Sequence, residues 1–320
     1  MDQTIQESQI RNTTSRLTAK DHWDHWLARL GYRRMHHRVE PGLYALGQPG
    51  PVSPVFVTAN YTLSFDALRA ALRDLDAYIL VLDTQGVNVW CAAGKGTFGT
   101  DELVHRIEVT RLGEVVSHRK LILPQLGAPG IAAHIVTQKS GFHVEYGPVR
   151  AADLPEYLQA GKATPEMRRV RFPIRDRAVL IPVEVMHVLP WLLLAALAHS
   201  LPALAAILAA VVLFPLLLPW LPTHNFTTKG WILGFLAVLP FAAWSIFFGE
   251  GLFWPRAGWA LSNLLLFPPI TAYLSMNFTG STTFTSRTGV RREIFHYFPS
   301  MAWSAGGGLA LAIALFFIKL

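Results

Sequence analysis

From residue 183 to residue 318 the chain is a succession of apolar runs, at about 183–201, 202–221, 231–248, 257–276 and 301–318. Each approaches the roughly 20 residues a helix needs to cross a hydrocarbon layer about 30 Å thick. The first two touch at His199, Ser200, Leu201 and Pro202. Together they are too long for one span, and Pro202 suits a tight reversal between two. Upstream the pattern changes to short apolar runs alternating with helical patterns. Strands are predicted over 55–61, 78–83, 87–90, 120–123 and 142–146, and helices over 64–76, 100–112, 130–139 and 152–159. Ser64 is the expected N-cap of the first of these helices, with Asp66 in its first turn, and Thr100 the cap of the second. Such alternation predicts an α/β domain with a largely parallel sheet, followed by an all-α domain of five transmembrane helices. The expected boundaries are a polar, amphipathic segment over 1–50, the α/β domain over 51–165, a basic linker over 166–182 and the membrane domain over 183–320.

Charge sharpens this division. Of the Lys, Arg, Asp and Glu residues, only Glu184, Lys229, Glu250, Arg256, Arg287, Arg291, Arg292, Glu293 and Lys319 lie beyond Ile181. A single soluble globule and a wholly membrane-embedded transporter are both excluded. With five spans and the N-terminus inside, the inner face receives Arg168, Arg169, Arg171, Arg175, Arg177, Lys229, Arg287, Arg291 and Arg292, and the outer face only Arg256 and Lys319. Merging the first two runs would send the 287–292 cluster outside, against the positive-inside rule. The C-terminus is therefore expected outside, and the α/β domain on the cytoplasmic face of the inner membrane, because residues 1–20 lack the apolar core of a secretory signal. The net charge of +7 reflects cationic membrane flanks rather than nucleic-acid binding. Few ionisable groups fall within the spans, Glu184 and His187 lying at the start of the first, so this half reads as an anchor or docking scaffold rather than an ion path. The hydroxyl-rich stretch 279–286 either bonds a polar cofactor rim or the soluble domain, or is a solvated loop.

Two features carry candidate chemistry. His22 and His25 stand with Asp21 and Asp24 as possible metal ligands, but Trp23 and Trp26 at that spacing favour an amphipathic helix packed on the domain or on a bilayer surface. His36 and His37, in a basic stretch, receive the same reading. The second feature is the segment 88–100. Gly94, Gly96 and Gly99 satisfy G-x-G-x-x-G, with Glu114 placed as a ribose-binding acid would be, which makes a dinucleotide site one reading. That fingerprint normally follows the first strand of its unit, whereas this one follows about the third. It is not a Walker loop, since no Ser or Thr follows Lys95. Cys91 is the only cysteine, so an internal disulfide, a four-cysteine zinc site and an all-cysteine iron–sulfur cluster are excluded, and electrons must come from another molecule. One reading of Cys91 is a buried apolar thiol. The other starts from its position near Lys95 at a possible helix start, surroundings that favour thiolate. Ala92, Ala93, Gly94 and Gly96 leave almost no side-chain bulk beside it, a face suited to a planar metallocofactor with axial thiolate. In parallel sheets ligands sit outside the carboxyl ends of the strands, where 90–100 lies.

The string Asn88-Val89-Trp90-Cys91-Ala92-Ala93-Gly94-Lys95 resembles the cap-helix motif of the mercury-methylating corrinoid membrane proteins (HgcA family), relatives of the corrinoid iron–sulfur protein. The likeness extends to Val39-Glu40-Pro41-Gly42-Leu43-Tyr44, Ala59-Asn60-Tyr61, Leu123-Pro124-Gln125-Leu126-Gly127-Ala128-Pro129-Gly130, Tyr146-Gly147-Pro148-Val149, the five-span tail and the 277–292 loop. The resemblance implies a cobalamin-type corrinoid with Cys91 as lower axial ligand to cobalt and residues 88–95 as a helix beneath the ring. It also implies Thr58 beside the corrinoid, and Gly127 in a further candidate turn. The D-x-H-x-x-G signature of histidine-ligated cobalamin proteins is absent from the chain. The activity implied is a corrinoid-dependent methyltransferase, acting anaerobically, that passes a methyl group from methyl-Co(III) to Hg(II) to give methylmercury. A methyl-folate-dependent donor system and a ferredoxin-like iron–sulfur reductant are the implied partners, with membrane lipid around the spans. A membrane-tethered corrinoid carrier serving another acceptor protein remains an alternative, and the dinucleotide enzyme a second.

Overall fold

The computed structural model describes residues 10–278, 282 and 287–318. The chain divides into two units, Met1–Val170 and Arg171–Leu320.

The first unit is built on six strands: β1 (Arg11–Thr13), β2 (Gly42–Leu46), β3 (Val55–Ala59), β4 (Ala77–Leu82), β5 (Lys120–Leu123) and β6 (His143–Tyr146). They lie in the order β1-β2-β4-β3-β5-β6. All neighbours are parallel except β2 and β4, so the sheet is mixed but mostly parallel. Strands β3 and β4 are buried at every position, as continuous apolar runs covered on both faces should be. Helices α1 (Ala19–Arg29), α2 (Thr62–Ala71), α3 (Val89–Lys95), α4 (Thr100–Val109), α5 (Leu112–Val115), α6 (Ala133–Ser140) and α7 (Leu154–Ala160) complete the unit. One face is packed by α2 and α7 through Phe65, Leu68, Leu72, Leu154 and Tyr157. The other is packed by α3 to α6 through Ala92, Leu103, Ile107, Leu112 and Val136.

Several local expectations change. The residues before 51 are not only a polar segment, since they supply β1 and β2. Residues 87–90 are not a strand: Asn88 caps α3, its side chain accepting the Cys91 N–H at 2.9 Å. Helix α2 begins two residues before Ser64, behind Tyr61, and ends at Ala71. The Thr100 hydroxyl does not cap its own helix. It accepts the Ala132 N–H at 2.8 Å and ties α4 to the start of α6. Gly130 closes a 3-10 turn, Gln125–Gly130, and α6 starts only at Ala133.

Asp66 is not a first-turn acid but part of a buried cluster. Its carboxylate accepts the Arg69 Nε–H at 2.6 Å and meets His25 Nε2 at 2.7 Å. Arg69 also bonds the Thr14 and Arg16 carbonyls and pairs with Asp21 at 3.0 Å. Burial acts to raise the Asp21 carboxyl, but hydrogen bonds from Thr18 and Arg69 outweigh it and hold it below its ordinary value. This cluster fastens residues 14–25 to α2. Arg69→Met is expected to destabilise the unit by roughly 3 kcal/mol, because the Asp66 carboxylate stays buried with only His25 beside it. Denaturant unfolding measures the change, and protease cleavage confined to residues before 30 would mark the released segment.

The second unit is helical: α8 (Ile174–Ala178), α9 (Ile181–Leu197), α10 (Leu201–Leu208) continued by a π-turn, α11 (Phe214–Leu217), α12 (Phe226–Phe248), α13 (Phe253–Asn277) and α14 (Arg287–Ile318). Each predicted apolar run is helical. Three helices, Ile174–Leu197, Phe226–Phe248 and Thr288–Phe317, are long and apolar enough to cross a membrane, and Leu201–Leu217 is a shorter apolar helix. The chain breaks between α9 and α10 at His199, which has a left-handed backbone (φ 52°), and Val188 and Ala195 of α9 pack with Ile207 of α10. Gly230 and Gly234 of α12 lie so close to Ser275 and Thr271 of α13 that a Cβ would come within 2.6 Å of either side chain, the small-residue contact by which apolar helices approach. Glu293 of α14 is buried and accepts the Thr227 N–H and hydroxyl at 2.9 Å each, closing the start of α12. The hydroxyl-rich stretch 279–286 falls outside the described residues except for Thr282, which is buried.

Candidate functional site

The chain runs from β3 to β4 on one side of β3, then crosses to β5 on the other. The reversal of direction falls between β3 and β5, and such a switch point leaves a crevice outside the carboxyl ends of the two strands. A cavity of about 290 Å³ lies there, lined by Thr58 near the end of β3, Leu123 and Pro124 at the end of β5, Ser64 and Leu68 of α2, Val149 and Leu154. Asn88, Val89 and Trp90, at the start of α3, line it as well.

The loop that delivers α3 is held by Asn60. Its side-chain oxygen accepts the Thr84 N–H at 3.1 Å and the Gly86 N–H at 2.9 Å, and its amide donates to Asp83 Oδ1 at 3.1 Å. Asn60 is itself buried, so no water replaces it cheaply. Asn60→Ala is expected to cost about 2–3 kcal/mol by stranding buried donors. It should also loosen α3, read as faster amide exchange over residues 84–92.

Helix α3 presents two faces. Val89, Ala92 and Ala93 are buried against the core, whereas Cys91 is a half-buried free thiol and Gly94 and Lys95 are exposed. Cys91, Gly94 and Lys95 are spaced i, i+3 and i+4, so they share one side of the helix. A Cβ added to Gly94 meets no atom within 4 Å; the protein's own packing does not require a glycine there. Gly130 is different. A Cβ there would fall 2.2 Å from the Phe98 carbonyl oxygen and 3.0 Å from Ala93 Cα, because the 125–130 turn presses backbone to backbone on α3. Gly127 similarly makes way for the Phe98 ring, 2.5 Å from a built Cβ. The Thr97 hydroxyl is buried beside this turn with no hydrogen-bond partner among the described residues. Across the turn, burial raises the Tyr146 phenol; its hydroxyl donates to the Ile131 carbonyl at 2.9 Å.

Of the residues singled out in the sequence, Thr58, Asn88, Val89 and Trp90 line the cavity. Cys91, Gly94 and Lys95 lie on the neighbouring open side of α3, and Ala92 and Ala93 seat the helix. Gly127 does not line the cavity; it is a packing position. The dinucleotide loop is not formed: Gly94 is within α3, Gly96 is its left-handed C-cap (φ 87°) and Gly99 precedes α4. None of the three sits on a strand-to-helix turn, and Glu114 is exposed on α5. The histidines are not grouped as ligands either. His25 bonds Asp66, His37 bonds Asp24 and the Tyr32 carbonyl, and no cluster able to hold a metal ion occurs among the described residues. Asn60 and Ser64 were missed as site residues. Asn60 stands within a motif quoted above, but nothing in its spacing reveals that it holds a loop 24 residues away.

Residues 32–158 match the family model described as CO dehydrogenase/acetyl-CoA synthase delta subunit. The chain is 35% identical over 128 residues to the acetyl-CoA decarbonylase/synthase complex subunit gamma of Methanopyrus kandleri, covering 39% of this chain and 27% of the relative. The same subunit of Archaeoglobus fulgidus is 33% identical over 124 residues, 38% of this chain and 26% of its own length. The corrinoid/iron-sulfur protein large subunit of Moorella thermoacetica is 26% identical over 129 residues, 40% and 28% of the two chains. The chain thus spans about a quarter of the length of the relatives it matches. The matched family region contains β2 to β6, α3 and the cavity, and it ends before the helical unit begins. The α/β unit is thus similar to subunits of the acetyl-CoA decarbonylase/synthase complex and to the large subunit of a corrinoid/iron-sulfur protein.

Proposed function

We propose that the α/β unit binds a cobalamin-type corrinoid, with Cys91 as lower axial ligand to cobalt, and that the protein transfers a methyl group from it to Hg(II). The observation that carries this reading is the free, half-buried Cys91 thiol on an open helix face at the switch point of a domain similar to corrinoid-protein subunits. The residues fit the group. The open side of α3 carries a thiol and no bulk at Gly94, where a Cβ would meet no atom within 4 Å. The adjoining cavity, about 290 Å³, is at the lower end of small-ligand pockets in size, so it would hold only part of such a group, and the residues on the open side of α3 would hold the rest.

When bound, the corrinoid supplies a cobalt centre that accepts a methyl group and releases it to a soft metal acceptor. The protein's own part is positional. Asn88 fixes the Cys91 backbone in the first turn of α3, and Ala92, Ala93 and the 125–130 turn fix α3 against the sheet. Thr58 and Ser64 offer hydroxyls to a polar group entering the cavity. Cys91 is the sole cysteine, so reduction requires a separate protein, for which a ferredoxin-like iron–sulfur partner is suited, and a methyl-folate-dependent system is the proposed donor. The five apolar helical segments hold the α/β unit at the inner membrane face, with Arg287, Arg291 and Arg292 inside and the C-terminus outside.

A second reading is favoured by the relatives' being subunits of complexes: the protein carries the methyl group on its corrinoid to another protein. Purified, methyl-loaded protein given Hg(II) alone separates the two, since methylmercury forms only under the first. An anaerobic absorption spectrum tests both. Corrinoid bands are expected, and a flavin or nicotinamide spectrum would overturn the assignment.

A further inference from the structure

The tryptophans of α1 do not pack on the domain. Trp23 and Trp26 are 65% and 58% exposed, and Tyr32 and Met35 in the following turn are 54% and 55% exposed. Lys20, Trp23 and Trp26 recur every three residues along the exposed side of α1. The opposite side is already satisfied: His25 and Ala28 are buried, and His25 bonds Asp66. Both acids of this segment are also turned to partners, Asp21 to Arg69 and Asp24 to His37. Three of its cations are placed differently: Lys20, Arg33 and Arg34 are exposed and stand in no ion pair among the described residues, and Arg33 lies over the Tyr32 ring, 5.5 Å from its centroid.

We infer that α1 and the turn after it dock on the surface of a bilayer containing anionic phospholipid. Indole and phenol rings favour the boundary between acyl chains and water, and flanking Lys and Arg favour anionic headgroups. Charge complementarity selects that occupant, because the segment's two acids are paired with Arg69 and His37 while Lys20, Arg33, Arg34 and the aromatic rings are exposed. The inference rests on the reading of the helical unit as membrane-embedded. The first apolar helix starts at Ile174, just after the α/β unit ends at Val170, so docking is intramolecular and needs little intrinsic affinity. Each exposed cation near an anionic surface is worth roughly fivefold in binding.

The test uses the full chain in nanodiscs of phosphatidylcholine alone or mixed with phosphatidylglycerol. Subtracting the emission of a Trp23→Phe/Trp26→Phe variant isolates the two indoles. In phosphatidylglycerol discs their component is expected to be blue-shifted, quenched by brominated acyl chains and shielded from aqueous acrylamide. Lys20→Glu/Arg33→Glu/Arg34→Glu should weaken docking on the order of a hundredfold or more and abolish the bromolipid quenching. If the component is quenched by acrylamide and untouched by bromolipid while the chain resides in the disc, the docking surface is refuted and the face is left to water or a protein partner. A chain that does not enter discs overturns the membrane reading, and docking with it.

Discussion

Cys91→Ala is expected to reduce methyl transfer to Hg(II) to background while the protein still folds and partitions as the wild type does. The fold should tolerate the change because the Asn88 bond is to the Cys91 backbone N–H, not to the thiol. The half-buried side chain also does not belong to either core of the α/β unit. Alanine is a better helix former than cysteine, so unfolding should move by less than about 1 kcal/mol. Activity should respond differently, since no other cysteine exists to take its place. Methylmercury formation is measured anaerobically with a methyl donor and reductant supplied, and the corrinoid spectrum is recorded for the same sample. A change in the spectrum together with lost transfer supports axial thiolate. Full activity in the variant would sink that role for Cys91, although corrinoid binding could survive it.

The parts of the fold legible in the sequence are those in which burial dictates residue type. Strands β3, β4 and β5 are apolar runs because helices cover both sides of the sheet, and the predicted spans are helices because their residues are apolar throughout. Strand β1, by contrast, is Arg11-Asn12-Thr13 and carries no hydrophobic signal. It exists through its pairing with β2 and the Arg11 bond to the Pro41 carbonyl. Residues 87–90 read as a strand because Val and Trp favour one. A side-chain cap from Asn88, a residue favoured at helix N-termini, starts a helix there instead. The site divides similarly. Cys91 and its small neighbours stood out by composition and by resemblance. The cavity, however, depends on β5 lying beside β3, an adjacency made by a crossover that gives Ser64 its place in the lining, whereas Asn60 gains its role from β3 lying beside β4, whose following loop it holds. The resemblance implies Gly127 near the cofactor; in the structure a Cβ at that position would meet the Phe98 ring.

The two kinds of glycine near α3 give the sharpest separation between holding the helix and holding the cofactor. Gly94→Leu should leave the unliganded protein at least as stable as wild type, because a Cβ at that position meets no atom within 4 Å and leucine gains up to about 1 kcal/mol over glycine within a helix. The same side chain would occupy the open face beside Cys91, and corrinoid retention should fall by tenfold or more on the order of a lost 1.4 kcal/mol contact surface. Gly130→Ala should act in reverse order. Its Cβ would press on the Phe98 carbonyl and Ala93 backbone, neither of which is a flexible chain end, so α3 must shift at a cost of roughly 1–3 kcal/mol. Corrinoid loss would then accompany a lower unfolding midpoint. Thermal unfolding of the cofactor-free proteins and cobalt content after gel filtration measure the two effects separately. If Gly94→Leu keeps its full cobalt content, the ring does not lie on the side of α3 that bears Gly94, and the axial assignment to Cys91, three residues away on that same side, loses its geometric support. If instead it loses cobalt while its midpoint holds, the open face is the cofactor's, because no packing defect remains to explain the loss.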